Sequence, residues 1–435
     1  MSLTESLPLS MRYSVTGSDA IPSKTTLSRF DATSASYNSG SNNKILIPVA
    51  AGDKFIDTSK GYLYMNIASN HTDANGTNKA HLTGNGACVI QKLEIAVSGS
   101  SGKVESISDY NVYHLYDELW SSNINDLTYQ AATVGAGGAA LESDALGVDL
   151  AKAGAAGNSI NVAIKLNCAF LNTYFKKALP AGMNSFQIEI TLDSFANAFT
   201  EAATVDAPFT YTVSECRFYC PCYQILDEQI MASYAQQVAS APIMWVGQSV
   251  NTIVNAIAAA GGKQSLQINS SYRSLNGLCT LVRTSENLNT QTKNSLNAFN
   301  LTNISSYKYR IMSESYPSDD VEISSTNTCR SYIEASKVFA KHGETHAVCS
   351  AVSVTQWLAD DDAANASVGH GSMCVDLKKF SDERLIMQGL DTTAGGPSNL
   401  EITFSSAPSA STAVTLALHD RMFVHNPNGV VEAQF

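Results

Sequence analysis

The sequence contains little charge for its length. Only 15% of its 435 residues are charged, against about 25% in typical soluble domains. Serine, threonine, asparagine and alanine replace the missing charges, which excludes a charged disordered protein and a coiled coil. This balance favours a protein whose faces end against other subunits, because charge is depleted at the centre of an interface. A hydrated β-sandwich has a similar composition.

Clusters of basic residues are also missing. The formal net charge is −12, and no run of five basic residues occurs; the basic groups are pairs such as Lys378-Lys379. Binding to a phosphate backbone depends on clustered lysine and arginine that release counterions. The sequence therefore predicts no direct contact with nucleic acid.

Signals for export, membrane insertion and disulfide formation are absent as well. The N-terminus has no basic region followed by an apolar stretch, so we expect no secretion through a signal peptide. The longest apolar stretch, around residues 253–260, is too short to cross a bilayer. Nine cysteines, an odd number, are spread along the chain, which indicates free thiols made in a reducing compartment.

The motifs of common enzymes are not present. No serine stands in Gly-x-Ser-x-Gly, and the glycine-rich run that begins at Gly135 lacks the lysine of a phosphate-binding loop. A glycosidase pair of carboxylates stays open, since nothing selects two of the 39 acidic residues. We expect no enzyme and assign no catalytic or cofactor-binding residue.

One group of histidines has a spacing that could bind a metal. His342 and His346 are four residues apart, and His370 and Cys374 follow downstream. However, Gly343 lies between the first two, and the order is not the His-Glu-x-x-His of zinc proteases. We interpret the segment as an exposed polar turn and predict no metal site.

Two further patterns could bind a metal or react in redox chemistry. Cys220 and Cys222 form a C-x-C pair, but no second pair follows at the spacing of a zinc ribbon. Redox activity would need a thiol of low pKa at a helix N-terminus. The three aspartates at 360–362 lack the glycine and distal glutamate of an EF-hand loop, and we interpret them as a solvated acidic loop.

The positive signal is a series of short strands. Runs rich in Val, Ile, Tyr and Thr alternate with period two and are bounded by Gly, Asn, Ser or Asp. The predicted strands are residues 44–49, 61–67, 89–97, 160–166, 186–192, 209–213, 265–268, 278–282, 307–311, 400–404 and 413–418. Such a series predicts a sandwich or barrel of antiparallel strands.

The segments between the strands differ in character. Residues 1–43 show almost no periodicity, which predicts a flexible N-terminal arm that acts in assembly and not in folding. An apolar stripe predicts a helix over 111–121, capped by Asp109. A weaker stripe predicts a second helix over 227–240, where a connector between domains would lie. The Gly/Ala-rich stretch 131–158 exceeds the usual loop length.

The two halves of the chain resemble each other. Residues 90–119 align with 307–339: both contain a strand, a polar turn, a Val-Glu pair and a helix. Further on, residues 184–194 align with 397–407, and a strand ending near an arginine follows each. Three matches in one order predict two copies of one domain. We place the first domain at 44–226 and the second at 227–435, with a helical connector at 227–262.

Two β-sandwiches with an inserted helix resemble the double jelly-roll major capsid proteins of the adenovirus, polinton-like virus and virophage lineage. The sequence of about residues 45–120 is similar to that of the polinton-like and virophage group, and elsewhere the resemblance rests on the architecture. In that group a strand is followed by a Ser-Gly turn, and a Glu-x-Ile-x-x-Tyr-Asn motif then leads into a helix. The motif residues are Glu105, Ile107, Tyr110 and Asn111. The resemblance implies an all-β fold of two tandem eight-stranded antiparallel jelly-roll sandwiches with short inserted helices.

The resemblance also implies a function. It indicates a major capsid protein that forms a homotrimeric, pseudo-hexagonal capsomer and tiles the icosahedral shell of a virion. The implied partners are copies of the chain, neighbouring capsomers, and penton and minor capsid proteins, while contact with a membrane stays open. The alternative is a receptor- or carbohydrate-binding spike or fibre protein, and an enzyme on a β-sandwich is a third possibility.

Overall fold

The structure, a computed structural model, describes most of the chain. The described residues are 23–50, 52–70, 72–73, 80–122, 127–136, 146–149, 152–153, 159–201, 210–269, 271–290, 293–294, 296–324, 326–341, 344–347, 350–359, 369–379, 387–393 and 395–434.

The first half consists mainly of antiparallel strands. In chain order they are β1 (Ser23–Asp31), β2 (Ser36–Asn38), β3 (Lys44–Val49), β4 (Phe55–Ile56), β5 (Tyr62–Ser69), β6 (Thr72–Asp73), β7 (Ala80–Thr83), β8 (Ile90–Val97), β9 (Lys103–Ser108), β10 (Leu146–Asp149), β11 (Lys152–Ala153), β12 (Ser159–Ile164), β13 (Phe186–Leu192), β14 (Phe199–Glu201) and β15 (Tyr211–Ile225). One main sheet has the order β1-β15-β5-β12, with β2 and β4 also paired to β15, and the other main sheet has the order β3-β13-β8-β9. The short strands form a small sheet of order β10-β7-β14 and a pair of β11 with β6.

The second half repeats this construction. Its strands are β16 (Ile243–Ile257), β17 (Gly262–Ile268), β18 (Leu275–Thr284), β19 (Ile304–Ile311), β20 (Glu314–Glu322), β21 (Met373–Asp376), β22 (Ser398–Phe404), β23 (Ser411–His425) and β24 (Val431–Gln434). They form one sheet of order β16-β23-β18-β21, which β24 extends, and another of order β17-β22-β19-β20.

Helices lie between the strands in both halves. They are α1 (Tyr110–Ser121), α2 (Leu127–Thr133), α3 (Phe195–Ala198), α4 (Glu228–Ser240), α5 (Cys329–Val338) and α6 (Val354–Trp357). In the part of the chain that the structure describes, no helix has the length and apolar character needed to cross a membrane.

Both halves have the same strand topology. When the eight main strands of each half are numbered from one in chain order, both pairs of sheets have the orders 1-8-3-6 and 2-7-4-5. The helices α1 and α5 occupy equivalent places, between the fifth and sixth strands. Each half is therefore an eight-stranded jelly roll, and the predicted all-β fold of two tandem copies is confirmed. We call these units the first and second roll.

The side chains form the core in the pattern expected for sandwiches. Along β5 and β13, buried residues alternate with partly exposed ones, because successive side chains point to opposite faces of a sheet. In contrast, every residue of β18 is buried, and nearly all of β23 is too. These two strands belong to a sheet that is covered on both faces.

Two domain boundaries from the sequence need correction. The expected arm at 1–43 contains β1, which pairs with β15 from Ser23↔Ile225 to Asp31↔Arg217 as the first strand of the first roll. Most of its side chains are exposed at the sheet edge, so the apolar alternation of a strand is missing. Residues 1–22 of the arm lie outside the described residues. The expected helical connector at 227–262 is helical only through α4, and β16 is already a strand of the second roll.

Two local predictions have different outcomes. The helix expected over 111–121 is confirmed as α1, but Asp109 does not cap it through its side chain. Asp109 instead has a left-handed backbone, with φ 47°. At α4, the carboxylate of Asp227 accepts hydrogen bonds from the backbone N–H groups of Gln229 and Ile230. Most of the Gly/Ala-rich stretch 131–158 lies outside the described residues.

Candidate functional site

The two rolls pack against each other along a buried contact surface, which we call the seam. The first roll contributes α1, Glu105 and residues 165–174, and the second contributes β16, β23 and residues 329–341, 351–357 and 369–377. This surface fixes the orientation of one roll relative to the other. The seam is therefore the first candidate for a functional site.

An aromatic cluster joins α1 to the second roll. The Trp120 ring, 2% exposed, lies parallel to Phe339 with 5.9 Å between the ring centroids. Trp357 meets it edge-on at 6.0 Å, and Tyr332 packs at 5.2 Å. Aromatic pairs in these geometries contribute beyond their buried area. The last turn of α1 thus anchors the first roll in the second.

Hydrogen bonds fix the same helix in position. The Tyr116 hydroxyl donates to the carbonyl oxygen of His370 at 2.9 Å and lies 2.8 Å from the hydroxyl oxygen of Ser372. The Leu119 carbonyl accepts from the backbone N–H of Ala351 at 2.7 Å. These bonds connect residues more than 200 positions apart and satisfy polar groups that would otherwise be buried without partners.

A buried carboxylate crosses the seam near α1. Glu105, fully buried, accepts from the backbone N–H groups of Ala169 at 2.9 Å and Phe170 at 2.8 Å. Ser249 Oγ, from β16 of the second roll, donates to the same carboxylate at 2.8 Å. Burial raises the pKa of Glu105, and these hydrogen bonds and the charge of Arg421 oppose that shift.

The second roll contributes a buried carboxylate of its own. Asp420 on β23 is 3% exposed and accepts a hydrogen bond from the hydroxyl of Tyr174 in the first roll. Ser274 Oγ at 2.5 Å and Asn276 Nδ2 at 2.6 Å complete its shell. Each roll therefore presents one buried acid to a donor from the other, which specifies one relative orientation of the rolls.

The backbones also approach closely at the seam. Gly247 on β16 lies where a Cβ atom would be 2.3 Å from the carbonyl oxygen of Ala169, so no larger residue fits without movement of the backbone. Next to it, Phe170 packs edge-on against Trp245 at 6.0 Å and Phe423 at 5.3 Å. Backbone and aromatic rings of the two rolls are in direct contact here, which favours a rigid unit over two mobile domains.

A cavity of about 240 Å³ opens along the seam. Its lining includes Asp117, Gln248, Lys341 and Glu344. Burial raises the pKa of Asp117 to about 6, and Asn167 Nδ2 donates to its carboxylate at 2.9 Å. Two acids share this space, but the structure shows no nucleophile activated by a base among the described lining residues.

The structure separates the histidines that the sequence brought together. His342 lies outside the described residues, and His346 is exposed, next to the hydroxyl of Thr345. His370 and Cys374 are both fully buried in the second roll. Among the residues that the structure describes, no three His, Cys, Asp or Glu side chains form a group that could hold a metal.

The other two candidate patterns differ in what the structure describes of them. Cys220 and Cys222 are buried on β15, in a strand and not at a helix N-terminus. Their thiols interact with each other, which lowers the pKa of Cys222 and raises that of Cys220. The aspartates at 360–362 lie outside the described residues.

Sequence reasoning missed the acids of the seam. Glu105 appeared in a repeated Val-Glu pair and in the motif before the helix, without a role of its own, and its counterpart Glu322 is exposed, with Asn327 Nδ2 3.3 Å away. For Asp420 a signal exists: the run His419-Asp-Arg interrupts an otherwise apolar strand. Polar side chains within a buried strand indicate that each one has a hydrogen-bonding or charged partner.

Comparisons with solved structures show where this architecture recurs. The chain is similar to VP54 of PBCV-1, fitted into a reconstruction of the virophage Sputnik, with a TM-score of 0.61, 10% identity and 97% and 99% coverage of the two chains. For the Faustovirus major capsid protein the values are 0.59, 8%, 96% and 93%, and for the mavirus major capsid protein 0.51, 12%, 100% and 95%.

Sequence comparison gives no match: neither a protein-family model nor a curated protein matches the chain. The structural likeness extends over nearly the whole length of each chain, and it includes both rolls. The chain therefore has the double jelly-roll fold of these capsid proteins.

Proposed function

We propose that the chain is a major capsid protein, the building block of an icosahedral virus shell. The observation that carries this proposal is the seam, which locks two copies of one jelly roll into a single rigid unit. The Faustovirus and mavirus proteins of the same fold are major capsid proteins. A tandem pair with no catalytic arrangement among its described residues fits a structural role.

The twin rolls explain how a trimer could tile a shell. Three chains carry six similar rolls, so a three-fold oligomer presents a pseudo-hexagonal outline and can occupy six-fold positions of a lattice. Closed symmetry of this kind also covers sheet edges that would otherwise pair at random. The low charge content is consistent with faces that meet other subunits.

The remaining expectations belong to the same proposal. The partners are other copies of the chain, neighbouring capsomers, and penton and minor capsid proteins, and the location is the virion. Direct binding of nucleic acid is not part of the proposal, since the net charge is −12 and phosphate contacts need clustered basic groups. We assign no enzyme activity, cofactor or metal.

The oligomeric state tests this function. Light scattering coupled to size exclusion should give about three times 46.3 kDa, and negative-stain images should show particles with a hexagonal outline. A monomer at micromolar concentration would contradict the trimer. Trimers without a hexagonal outline would contradict the capsomer and favour a fibre head.

One observation favours the alternative of a carbohydrate-binding protein. A groove of about 390 Å³ opens at one end of the second roll, which is within the usual size range of ligand sites. Its lining combines amides and hydroxyls, including Asn287, Thr290, Asn300 and Asn303, with the apolar Phe404. Binding on a glycan array that Asn303→Ala abolishes would support this role, and an array without signal would remove it.

A further inference from the structure

Two cysteines lie directly opposite each other inside the second roll. Cys279 on β18 and Cys374 on β21 are register partners in adjacent antiparallel strands, and both are fully buried free cysteines. Directly opposite residues of an antiparallel pair place their side chains on the same face of the sheet. The two thiols accordingly interact with each other through a hydrogen bond. Their sulfur atoms are neighbours, although the two residues are far apart in the sequence.

The hydrogen bonds of the two strands show what kind of pair these cysteines form. The backbone N–H of Leu377 donates to the carbonyl oxygen of Asn276 at 2.9 Å, three positions along the same register. Hydrogen-bonded and non-hydrogen-bonded pairs alternate along an antiparallel ladder, so Cys279 and Cys374 form a non-hydrogen-bonded pair. The N–H of Cys374 donates to the Tyr307 hydroxyl instead, at 3.2 Å. The Cα atoms of such a pair are about 4.5 Å apart, within the range of roughly 4.4–6.8 Å that disulfides need.

The cysteine pair lies beside a hydrogen bond that crosses the seam. Ser372 Oγ is 3.1 Å from Cys374 Sγ, and the Tyr116 hydroxyl of the first roll is 2.8 Å from the same oxygen. In the part of the chain that the structure describes, β21 lies at the end of its sheet and pairs only with β18. A bond between Cys279 and Cys374 would therefore attach the edge strand beside this seam contact to the middle of the sheet.

We propose that Cys279 and Cys374 are a redox site, which a small-molecule disulfide such as oxidised glutathione converts to a cross-strand disulfide. The thiolate of one cysteine attacks a sulfur of the small-molecule disulfide, so that a mixed disulfide forms and one small thiol leaves. The thiolate of the other cysteine then attacks the protein sulfur of the mixed disulfide, and the second small thiol leaves. The two protons of the cysteines end on the two small thiols, and the two electrons reduce the small-molecule S–S bond.

Burial determines how fast this site reacts. It raises the pKa of the Cys279 thiol well above its usual value, and only the thiolate attacks a disulfide. Exchange therefore takes place during folding or when the short edge strand β21 opens locally. The same burial then protects the finished disulfide from reductants. The site is a property of the single chain, so its failure would leave the proposed capsid function standing, and the reverse also holds.

Peptide mapping by mass spectrometry tests the bond on the full chain. The protein is refolded from denaturant in a mixture of reduced and oxidised glutathione, where every thiol meets the oxidant, and the folded protein is incubated separately with oxidised glutathione. After alkylation of free thiols, non-reduced peptides should show Cys279 joined to Cys374, and the count of free thiols should fall from nine to seven. The folded protein should give the same bond more slowly. Nine remaining thiols after both treatments, or a bond between other cysteines such as Cys220 and Cys222, would overturn the proposal.

Thermal unfolding measures what the bond does. The oxidised protein should melt roughly 2–4 °C higher than the reduced protein, because the disulfide restricts the unfolded chain. Cys279→Ala and Cys374→Ala should each show no such rise and lose no thiols, whereas the matched control Cys220→Ala should show both. Near-ultraviolet circular dichroism verifies that each variant is folded, and one folded variant of the pair is sufficient. An equal rise in a variant that lacks Cys279 or Cys374 would contradict the proposal.

Discussion

Two glutamates at equivalent places in the repeat have opposite environments. Glu105 satisfies the backbone N–H groups of Ala169 and Phe170 inside the seam, whereas Glu322 is exposed. We predict that Glu105→Ala lowers the free energy of unfolding by about 3 kcal/mol or more, because each buried donor left without a partner costs about 1–3 kcal/mol. Denaturant unfolding measures the loss. Glu322→Ala, the control, should change stability by less than about 0.5 kcal/mol; equal effects of the two variants would contradict a special role of the seam carboxylate.

The aromatic cluster at the end of α1 gives a second residue prediction. Trp120 is 2% exposed and contacts Phe339 and Trp357 of the other roll. Trp120→Ala should cost about 3–5 kcal/mol through lost burial and the cavity left behind. Tyr129→Ala, at a side chain that is 71% exposed, should cost little. A loss below about 1 kcal/mol for Trp120→Ala would mean that the cluster does not hold the rolls together.

Two buried histidines should make the protein sensitive to acid. Burial lowers the pKa of His370 and of His419 to about 4, whereas histidine in the unfolded chain titrates near 6.5. Between these values the unfolded state binds more protons, so stability falls as the pH falls from about 6.5 to about 4.

The size of this effect is measurable on single variants. His370→Gln or His419→Gln should each reduce the slope of unfolding free energy against pH by up to about 1.4 kcal/mol per pH unit within that window. The exposed His346 provides the control, since His346→Gln should leave the slope as it is. Unfolding in urea at a series of pH values gives the slopes, and an unchanged slope in both buried variants would be evidence against this origin.

At the scale of elements, strands with one buried face were predictable from sequence. The alternation over 186–192 gives β13 with its observed bounds, and the apolar stripe after Asp109 gives α1. The repeat also placed α1 and α5 correctly, because tandem copies with one fold keep the order of their elements. These predictions rest on local periodicity, which the sequence carries directly.

Elements at sheet edges and beside the seam were harder to predict. β1 exposes most of its side chains, so it has the composition of a loop and its strand conformation comes from pairing with β15. β16 begins directly after Pro242, but burial along it does not alternate strictly, because its apolar residues pack partly on the other roll. The seam acids were invisible for the same reason, since their partners come from distant parts of the chain. Contacts between distant parts of the chain determine β1, β16 and the environment of the seam acids, and no short stretch of sequence contains both partners of such a contact.

For the whole molecule, the seam makes two rolls behave as one body. Acids, aromatic rings and backbone contacts from both rolls interdigitate there, so separation of the rolls would expose buried polar groups and apolar surface together. We expect a single cooperative unfolding transition for the pair. This rigidity suits the proposed capsid function, because contacts at one roll would then fix the position of the other.

The N-terminal residues then divide into two parts with different roles. β1 pairs with β15 over nine residues, so deletion of residues 2–40 removes a strand of the first roll and should destroy cooperative folding. Deletion of residues 2–20 spares β1 and should leave the melting temperature of the protein nearly unchanged. Under the proposed capsid function the shorter deletion should nevertheless abolish or misdirect shell formation, because a terminal segment with few apolar residues can add a strand or a short apolar contact to a neighbouring subunit. Thermal unfolding and electron microscopy of assembly reactions measure the two effects. Normal shells from the shorter variant would show that residues 2–20 have no part in assembly, and a folded longer variant would show that β1 is dispensable.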